Sequence, residues 1–449
     1  MSQHLEPDQN SPFPGGRRAA EARLAAIDPA RYGASRNHLD GAVTRLSPYI
    51  RHGVLTLAEV REAVFERLRR LEPGDAAVQG DLFPGEGEPR VWSAAQRRAG
   101  EKLISELGWR DYWQRLWLQL GDGIWLDREP LKTGHPAQAY ASELPADIAA
   151  ASTGLPCIDA FAAELLETGW LHNHARMWLA SYMVHWRRVR WQAGALWFLQ
   201  HLLDGDPASN NLSWQWVASS FSHKPYIFNR ANLERFSSGR FCGTCPRAGR
   251  GGPAGCPFEA SYETLQERLF LSIDPAAQGP EAEVPFAGRP SASEVGEARP
   301  HTSAPSPLRR PLVWVHEEAL GAANPALLAH PEAPALAVLD AAWLAGRSAG
   351  RIRFLRECLA ELPVGVREGD GATEVLAAAR ALGCDGVVSS QPVDPRLRRL
   401  GARVAAELPL QLLEPEPFVA LPLEGQGGPD LRRFSRYWRQ AEALVWKGY

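Results

Sequence analysis

The sequence predicts a multidomain fold in which an all-α domain is followed by a smaller α/β domain. Two patterns along the 449 residues indicate this architecture. Up to about residue 272, apolar residues recur at three- and four-residue spacing, which is typical of amphipathic helices. Further on, short apolar runs such as PLVWV and GVVSS alternate with helical segments, as in a parallel sheet covered by helices.

Composition sets the boundaries of these parts. Residues 1–16 are polar and rich in proline and glycine, so we predict a disordered lead. Residues 17–272 are predicted to form the helical domain. Residues 273–310 contain seven prolines and almost no large apolar residues, as flexible linkers do. Residues 311–449 are predicted to form the α/β domain.

Composition also limits the class of protein. The chain is 45% hydrophobic with a formal net charge of −3, which indicates a globular protein rather than a disordered or strongly basic one. No apolar run approaches a membrane span and the N-terminus shows no apolar signal segment, so we expect no membrane partner and a cytoplasmic location. Twelve of the sixteen tryptophans lie before residue 220, so their role belongs to the helical domain.

The stretch LLDGDPASNNLSWQW, residues 202–216, combines acids, amides and indoles more densely than any other. A surface loop would not usually contain two tryptophans, and a core helix would not usually contain four acid and amide side chains. Because buried polar groups must find partners, this mixture predicts a polar ligand enclosed by apolar walls.

Four segments in the order RYGASRNHLDGAVTRLSPYIRHG, ISELGWRDYW, TGWLHNHARMW and LLDGDPASNNLSWQWVASSFSHKPYIFN resemble the cryptochrome/photolyase flavoprotein family. The resemblance covers roughly residues 16–240. It implies an all-α FAD-binding photolyase domain followed by a smaller α/β Rossmann-like antenna-type domain. In that family the antenna domain normally comes first, so the domain order here is inverted. The run VHEEALG stands where the family usually has basic residues, and the antenna pigment therefore stays unknown.

The resemblance implies that FAD is the ligand and that the helical domain alone binds it. The Thr44–Ser47 turn would hold the pyrophosphate, the two aspartates of DGD would accept hydrogen bonds from the flavin ring and ribose, and Asn210 would face flavin N5. Taken singly, the Thr44–Ser47 turn is more often an ordinary helix N-cap, and DGDP more often an ordinary turn. The implied FAD contacts are Tyr32, Arg36, Thr44, Arg45, Leu46, Ser47, Arg110, Arg176, Asp204, Asp206 and Asn210.

Two tryptophans, Trp191 and Trp214, match members of the chain that carries electrons to the flavin in this family. A lone tryptophan would more often simply pack in the core. Trp125 is the nearest candidate for a third member, but its spacing differs from the family's, and the third member stays open.

The resemblance also implies a cavity for a flipped-out pyrimidine dimer. Asn173 and Met177 stand where the (6-4) branch of the family carries histidines, which favours the cyclobutane dimer. The implied function is light-driven repair of these dimers in DNA by electron transfer from reduced FAD, the reaction of deoxyribodipyrimidine photolyase, a lyase, acting as a monomer. The implied cavity residues are Glu106, Trp109, Asn173, Met177 and Trp216.

Two other functions remain open from sequence. A cryptochrome-like blue-light photoreceptor would bind the same flavin without repair. A zinc-stabilised helical DNA-binding protein would explain the cysteines but not the flavin segments. Local charge fits a DNA partner, because residues 170–250 hold ten lysines and arginines against three acids, although such a run is more often only a solvated helical face.

Four of the six cysteines predict a metal centre: Cys157, Cys242, Cys245 and Cys256. The C-x-x-C spacing lets two thiolates hold one centre, and from spacing alone zinc is the commoner outcome. A group of bacterial photolyase relatives carries an iron–sulfur cluster with a similar pattern of one distant cysteine, C-x-x-C and C-P-F. That resemblance favours a [4Fe–4S] cluster, while Cys358 and Cys384 are expected to be free buried thiols.

Overall fold

The computed structural model describes residues 11–71, 92–250, 254–271, 308–423 and 427–447. Residues 1–10 of the predicted lead, residue 272 of the predicted helical domain and residues 273–307 of the predicted linker lie outside these ranges. Within them, the chain is helical up to residue 269 and then forms a parallel sheet with helices. The predicted helical domain and the predicted parallel sheet are therefore confirmed.

The described helices of the first part are mostly short. Two 3₁₀ segments, at Gly121–Trp125 and Ala137–Ala139, and a π turn at Tyr182–Trp186 interrupt them. The helices are α1 (Arg17–Ala25), α2 (Pro29–Ser35), α3 (Ser47–Arg51), α4 (Leu57–Arg69), α5 (Ala94–Leu120), α6 (Ala146–Ala149), α7 (Pro156–Thr168), α8 (Asn173–Ser181), α9 (Trp191–His201), α10 (Pro207–Ala218), α11 (Arg230–Phe236) and α12 (Tyr262–Leu269).

Helix α5 organises this part of the molecule. It starts at a capping box, in which Ser93 and Gln96 exchange side chain–backbone hydrogen bonds, and it runs for 27 residues. It packs against α2, α4 and α10, so it brings the RYGASR segment and the DGDPASNN segment to one place.

The second part is a five-stranded parallel sheet with strand order β3-β2-β1-β4-β5. Strands β1 and β4 lie at the centre, where Val313 pairs with Val388, and both are fully buried. The elements are β1 (Pro311–Val315), α13 (Pro325–Ala329), β2 (Ala335–Asp340), α14 (Ala341–Leu344), α15 (Ala349–Ala360), β3 (Gly365–Gly369), α16 (Gly371–Ala381), β4 (Gly386–Ser390), α17 (Pro395–Ala405), β5 (Leu410–Leu413) and α18 (Phe434–Val445).

One hydrophobic core runs through both parts. The same cluster of buried side chains contains Tyr112 and Leu116 of α5, Val313 and Val315 of β1, and Phe354 of α15. The C-terminal helix α18 packs along α5, where Tyr437 Oη donates a 2.6 Å hydrogen bond to an Asp111 carboxylate oxygen. The helical part is therefore completed by residues from the far end of the chain.

The start of the described chain differs from the predicted disordered lead. Phe13 is only 3% exposed, and the backbone N–H of Gly15 donates to Glu357 Oε2 at 2.6 Å. The N–H of Gly16 donates to Cys358 Sγ at 3.2 Å. Residues 11–16 are ordered because the end of α15 supplies acceptors for their backbone, which composition alone does not reveal.

None of the helices in the described ranges is long and apolar enough to cross a membrane.

Trp446→Ala should destabilise the protein strongly, since this residue is 7% exposed and its ring centroid lies 5.2 Å from Phe65 and 5.9 Å from Trp92. Truncating a buried tryptophan costs about 3–5 kcal/mol of the free energy of unfolding. Urea unfolding followed by circular dichroism measures this loss as a lower midpoint. The matched control is Leu444→Ala on the same helix, where the side chain is 41% exposed and the cost should stay below about 0.5 kcal/mol. Equal shifts for both variants would contradict the docking of α18.

Candidate active site

The polar segment 202–206 connects α9 to α10 and is buried. Asp204 is 6% exposed, and its Oδ2 accepts a hydrogen bond from Arg176 Nη2 at 2.8 Å. The other oxygen, Oδ1, is buried without a hydrogen-bond partner in the part of the chain that the structure describes. A buried carboxylate oxygen without a donor is costly, so a donor from a ligand is expected there. Asp204 thus fits its predicted role toward FAD.

Asp206, in contrast, has its acceptors filled by the protein. It caps α10 through Ser209 N at 2.7 Å, Gln114 Nε2 lies 3.0 Å from both carboxylate oxygens, and Arg110 Nη2 lies 3.4 Å from Oδ2. Burial opposes the charged form, but the positive charges of Arg110 and Arg51 outweigh it, so the pKa of Asp206 is lowered. Asp206 and Arg110 therefore bond to each other, although the sequence predicts direct FAD contacts for both.

The two asparagines at the start of α10 differ in their surroundings. Asn210 Nδ2 donates to Ala195 O at 3.0 Å and to Asn211 Oδ1 at 3.1 Å, which fixes the orientation of its amide. Asn211 is fully buried, and its Nδ2 has no acceptor among the described residues. Asn211 is therefore a further candidate for a ligand contact, which the sequence reasoning left out although it lies next to Asn210.

The Thr44–Ser47 turn leads directly into α3. Arg45 has φ of 54°, a left-handed conformation that strains a residue with a Cβ, and such strain often marks a functional site. Its guanidinium lies 5.1 Å from the ring centroid of Trp170, while Thr44 Oγ1 accepts from Leu46 N at 3.4 Å. The turn is held by its own contacts, which is compatible with the predicted phosphate site.

Helices α2 and α5 join a predicted FAD contact to the predicted dimer cavity. Arg36 Nε on the α2 side lies 3.8 Å from Glu106 Oε1 on α5. The side chain of Glu106 is 43% exposed. Partial burial of its carboxyl nevertheless raises its pKa, although the positive charges of Arg36 and Lys102 act to lower it. Burial also raises the pKa of the neighbouring Tyr32.

The five side chains predicted to line the dimer cavity lie on three helices, because α10 packs on both α5 and α8. Asn173 Nδ2 and Met177 Sδ on α8 are 3.6 Å apart. Trp216 on α10 is 40% exposed, which is unusual for so large an apolar side chain. An accessible indole can stack on a base.

Trp109 packs against aromatic side chains that include Trp113, at 5.1 Å between ring centroids. One face of its ring stacks on Phe434 of α18, with ring centroids 3.7 Å apart and an interplanar angle of 9°. Sequence reasoning missed Phe434 because it lies in the C-terminal segment, far along the chain from α5.

The predicted electron-transfer tryptophans lie on adjoining helices, Trp191 on α9 and Trp214 on α10. A Cβ at Gly194, one turn after Trp191, would collide with the Trp214 ring, so the two helices approach closely. Trp125 stacks on Trp191 at 6.5 Å between ring centroids, with an interplanar angle of 11°. This contact makes Trp125 the candidate for the third member, which its spacing in sequence left open.

A separate cavity, with about 350 Å³ of empty space that is partly open to solvent, brings the four predicted metal ligands together. Arg247 Nε donates to Gly154 O at 3.1 Å and so ties the cysteine-rich loop to the segment before α7. The ligands around the cavity are Cys157 near the start of α7 and Cys242, Cys245 and Cys256 in the loop after α11.

The sulfurs surround the cavity without converging on one point. Within the described ranges, no three histidine, cysteine, aspartate or glutamate side chains lie close enough to hold a single metal ion. Burial raises the pKa of Cys157 to about 12 and that of Cys242 to about 11, so these thiols need a cation to become thiolates. A zinc ion would need its ligands on one centre, whereas a cluster of several irons would hold them further apart.

Comparison with known proteins agrees with this site. Residues 103–238 match the family model described as the FAD binding domain of DNA photolyase. A deoxyribodipyrimidine photo-lyase of Streptomyces griseus is 32% identical over 40% of this chain and 32% of its own length. A putative mitochondrial cryptochrome DASH of Neurospora crassa is 28% identical over 47% of this chain and 31% of its own length. The matched regions thus span about a third of these curated relatives.

Among solved structures, a bacterial class III photolyase from Agrobacterium tumefaciens is 21% identical, with coverage of 57% of this chain and 55% of that chain. Its TM-score of 0.41 is too low to compare the overall arrangement of the two molecules. The matched segment contains most of α5 and all of α8 and α10, which carry the predicted cavity residues, and it also contains the buried Asp204. Over part of its length, the chain is therefore similar to the FAD binding domain of DNA photolyase and to curated photo-lyases.

Proposed function

We propose that this protein is a deoxyribodipyrimidine photolyase, a lyase that repairs cyclobutane pyrimidine dimers in DNA by light-driven electron transfer from FAD. The observation that supports this most is the match of residues 103–238 to the FAD-binding domain of DNA photolyase, because the five cavity residues and Asp204 all fall within it. We also propose that it acts in the cytoplasm as a monomer.

Bound and reduced, FAD would supply one electron to the dimer after absorbing blue light. Arg176 would place positive charge beside the flavin, and Asp204 Oδ1 would accept a hydrogen bond from it. Trp216 and Trp109 would stack on the flipped-out pyrimidines. Flipping costs the DNA a few kcal/mol of base stacking, which these contacts must offset. Glu106 would bind the polar edge of the bases.

A cryptochrome-like photoreceptor is the second candidate function. The similarity to a putative cryptochrome DASH favours it, since such a protein binds the same flavin in a closely related domain. The two functions differ in whether light changes the dimer content of DNA.

The finer domain organisation is part of the same proposal. The order β3-β2-β1-β4-β5 has its switch point between β1 and β4, as in Rossmann-like sheets, and supports an antenna-type domain placed after the FAD-binding domain. At this switch point, Glu317 pairs with Arg396 and Glu318 accepts from Val393 N at 2.8 Å. These protein contacts occupy the crevice, and we assign no antenna pigment.

We further propose a [4Fe–4S] cluster on the four clustered cysteines. The cavity that they line supports it, as does their origin on two segments that the cluster would join. Its role would be to pin the cysteine-rich loop to α7.

Asp204→Ala should lower the flavin content of purified protein severalfold, because it removes the buried acceptor and the partner of Arg176. The flavin is released by heat and identified by chromatography, and FAD is expected. The matched control is Asp147→Ala, which breaks an Asp–Arg pair with Arg187 at 2.7 Å whose aspartate side chain is 38% exposed. The control should retain its flavin. Finding FMN, or equal losses in both variants, would contradict the assigned site.

Illumination of the reduced protein with dimer-containing DNA should lower the dimer content relative to a dark sample. Glu106→Gln should slow this repair about tenfold or more while flavin content stays unchanged, since a charge-assisted hydrogen bond contributes about 1.5–3 kcal/mol. Glu101→Gln, an exposed site on the same helix, serves as control and should repair normally. Equal dimer content in light and dark would reject repair and favour the photoreceptor.

Cys157→Ser should lose the metal. Anaerobically purified protein is expected to be brown and to contain about four irons per chain, whereas the variant should lose both properties. Cys384→Ser, remote from the cavity, should keep the iron. Elemental analysis that finds zinc, or no metal, in the unaltered protein would overturn the cluster and leave the flavin site untouched.

A further inference from the structure

The carboxylate of Asp127 accepts a hydrogen bond from the indole N–H of Trp191. The distance between Nε1 and Oδ1 is 2.5 Å, which is short for an N–H···O bond and typical of strong, charge-assisted pairing. Trp191 is 2% exposed, whereas Asp127 reaches the protein surface. The carboxylate is thus the group through which this buried N–H meets the solvent.

The segment that carries Asp127 is fixed to the helix that carries Trp214. Gln215, the next residue on that helix, donates through Nε2 to Ile124 O at 3.0 Å. Its Oε1 accepts from Arg128 N, also at 3.0 Å. These two bonds hold the segment on both sides of Asp127, so the contact with Trp191 belongs to the fold and is not a chance surface pairing.

The surroundings make this carboxylate a good proton acceptor. Loss of solvation beside the protein raises the pKa of Asp127. The hydrogen bonds from Trp191 and Ser220 and the positive charge of Arg190 act to lower it but do not outweigh this effect. An indole that has lost an electron is a much stronger acid than neutral indole, because the positive charge weakens its N–H bond. A base already bonded to that hydrogen is the natural recipient.

We propose that Asp127 accepts the Nε1 proton of Trp191 when Trp191 is oxidised. This inference rests on the proposed FAD site and on the predicted electron-transfer tryptophans, with FAD in its oxidised state rather than the reduced state proposed for repair. The oxidant is the photoexcited, oxidised flavin, acting through Trp214. One electron leaves Trp191 for oxidised Trp214, the Nε1–H bond breaks, and an O–H bond forms on Asp127. Neutral indole and carboxylate become neutral indolyl radical and carboxylic acid. Because that radical can recover its electron only together with a proton, charge recombination slows.

Asp127→Asn tests this in a Trp125→Phe background, where Trp191 ends the chain and the positive charge cannot move on to residue 125. Flash photolysis of the FAD-containing protein follows the flavin and tryptophan radicals. With Asp127 present, the neutral tryptophan radical should form, and more slowly in D₂O than in H₂O. In the Asp127→Asn variant, the tryptophan radical should remain a protonated cation until it recombines, because an amide does not take up the proton. Its recombination should be severalfold faster and should show no such isotope effect.

Glu129→Gln in the same background is the matched control. This substitution removes a negative charge two residues after Asp127, where Glu129 pairs with Lys132 Nζ at 2.6 Å. The radical that forms, its decay and its isotope effect should be the same as in the Trp125→Phe parent. The same radical with the same decay in the parent and in Asp127→Asn would overturn the proposal. If light reduces no flavin even in the unaltered protein, the flavin photochemistry itself is wrong and this step falls with it.

Discussion

The arrangement of the site depends on the buried guanidinium of Arg51. Its Nη1 donates to Glu318 Oε1 at 2.9 Å, its Nε donates to Gly205 O at 3.3 Å, and the same Nε lies 3.7 Å from Asp206 Oδ2. Breaking one partner of such a buried pair typically costs about 3–5 kcal/mol, because a charge is left uncompensated. Arg51 therefore couples the end of β1 to the loop that carries the predicted flavin acceptor.

A second arginine makes the same connection from the opposite side. Arg351 of α15 is 1% exposed and donates to Leu199 O and Gly205 O, each at 2.7 Å. A side chain at Gly205 would collide with this guanidinium, which explains a glycine between the two aspartates. The loop that carries Asp204 is thus contacted by the α/β part. That the helical part binds FAD without these contacts stays a prediction.

The α/β part therefore supports the predicted site in the helical part through direct contacts. Phe434 of α18 covers one face of Trp109, and the start of the described chain is held by α15. The clustered cysteines lie beside α7, next to a second hydrophobic core of the helical part. They are far along the chain from Phe434 and α15. The contacts of the α/β part and the proposed metal centre would then stabilise different sides of the helices that carry the predicted flavin site.

The sequence by itself determined the helical and parallel-sheet parts, because periodic burial is a local property of each segment. It also determined the chemistry of 202–216 and the cysteine set, since those residues are close along the chain or have a recognisable spacing. Only the tertiary structure decided which aspartate keeps an acceptor for a ligand: Asp206 accepts from Arg110 and Gln114, whereas Asp204 Oδ1 has no donor among the described residues. It also decided that Trp125 stacks on Trp191 and that residues 11–16 are ordered. Which partner satisfies a buried charge or covers an aromatic face depends on which distant segment packs against it, and no local pattern encodes that choice.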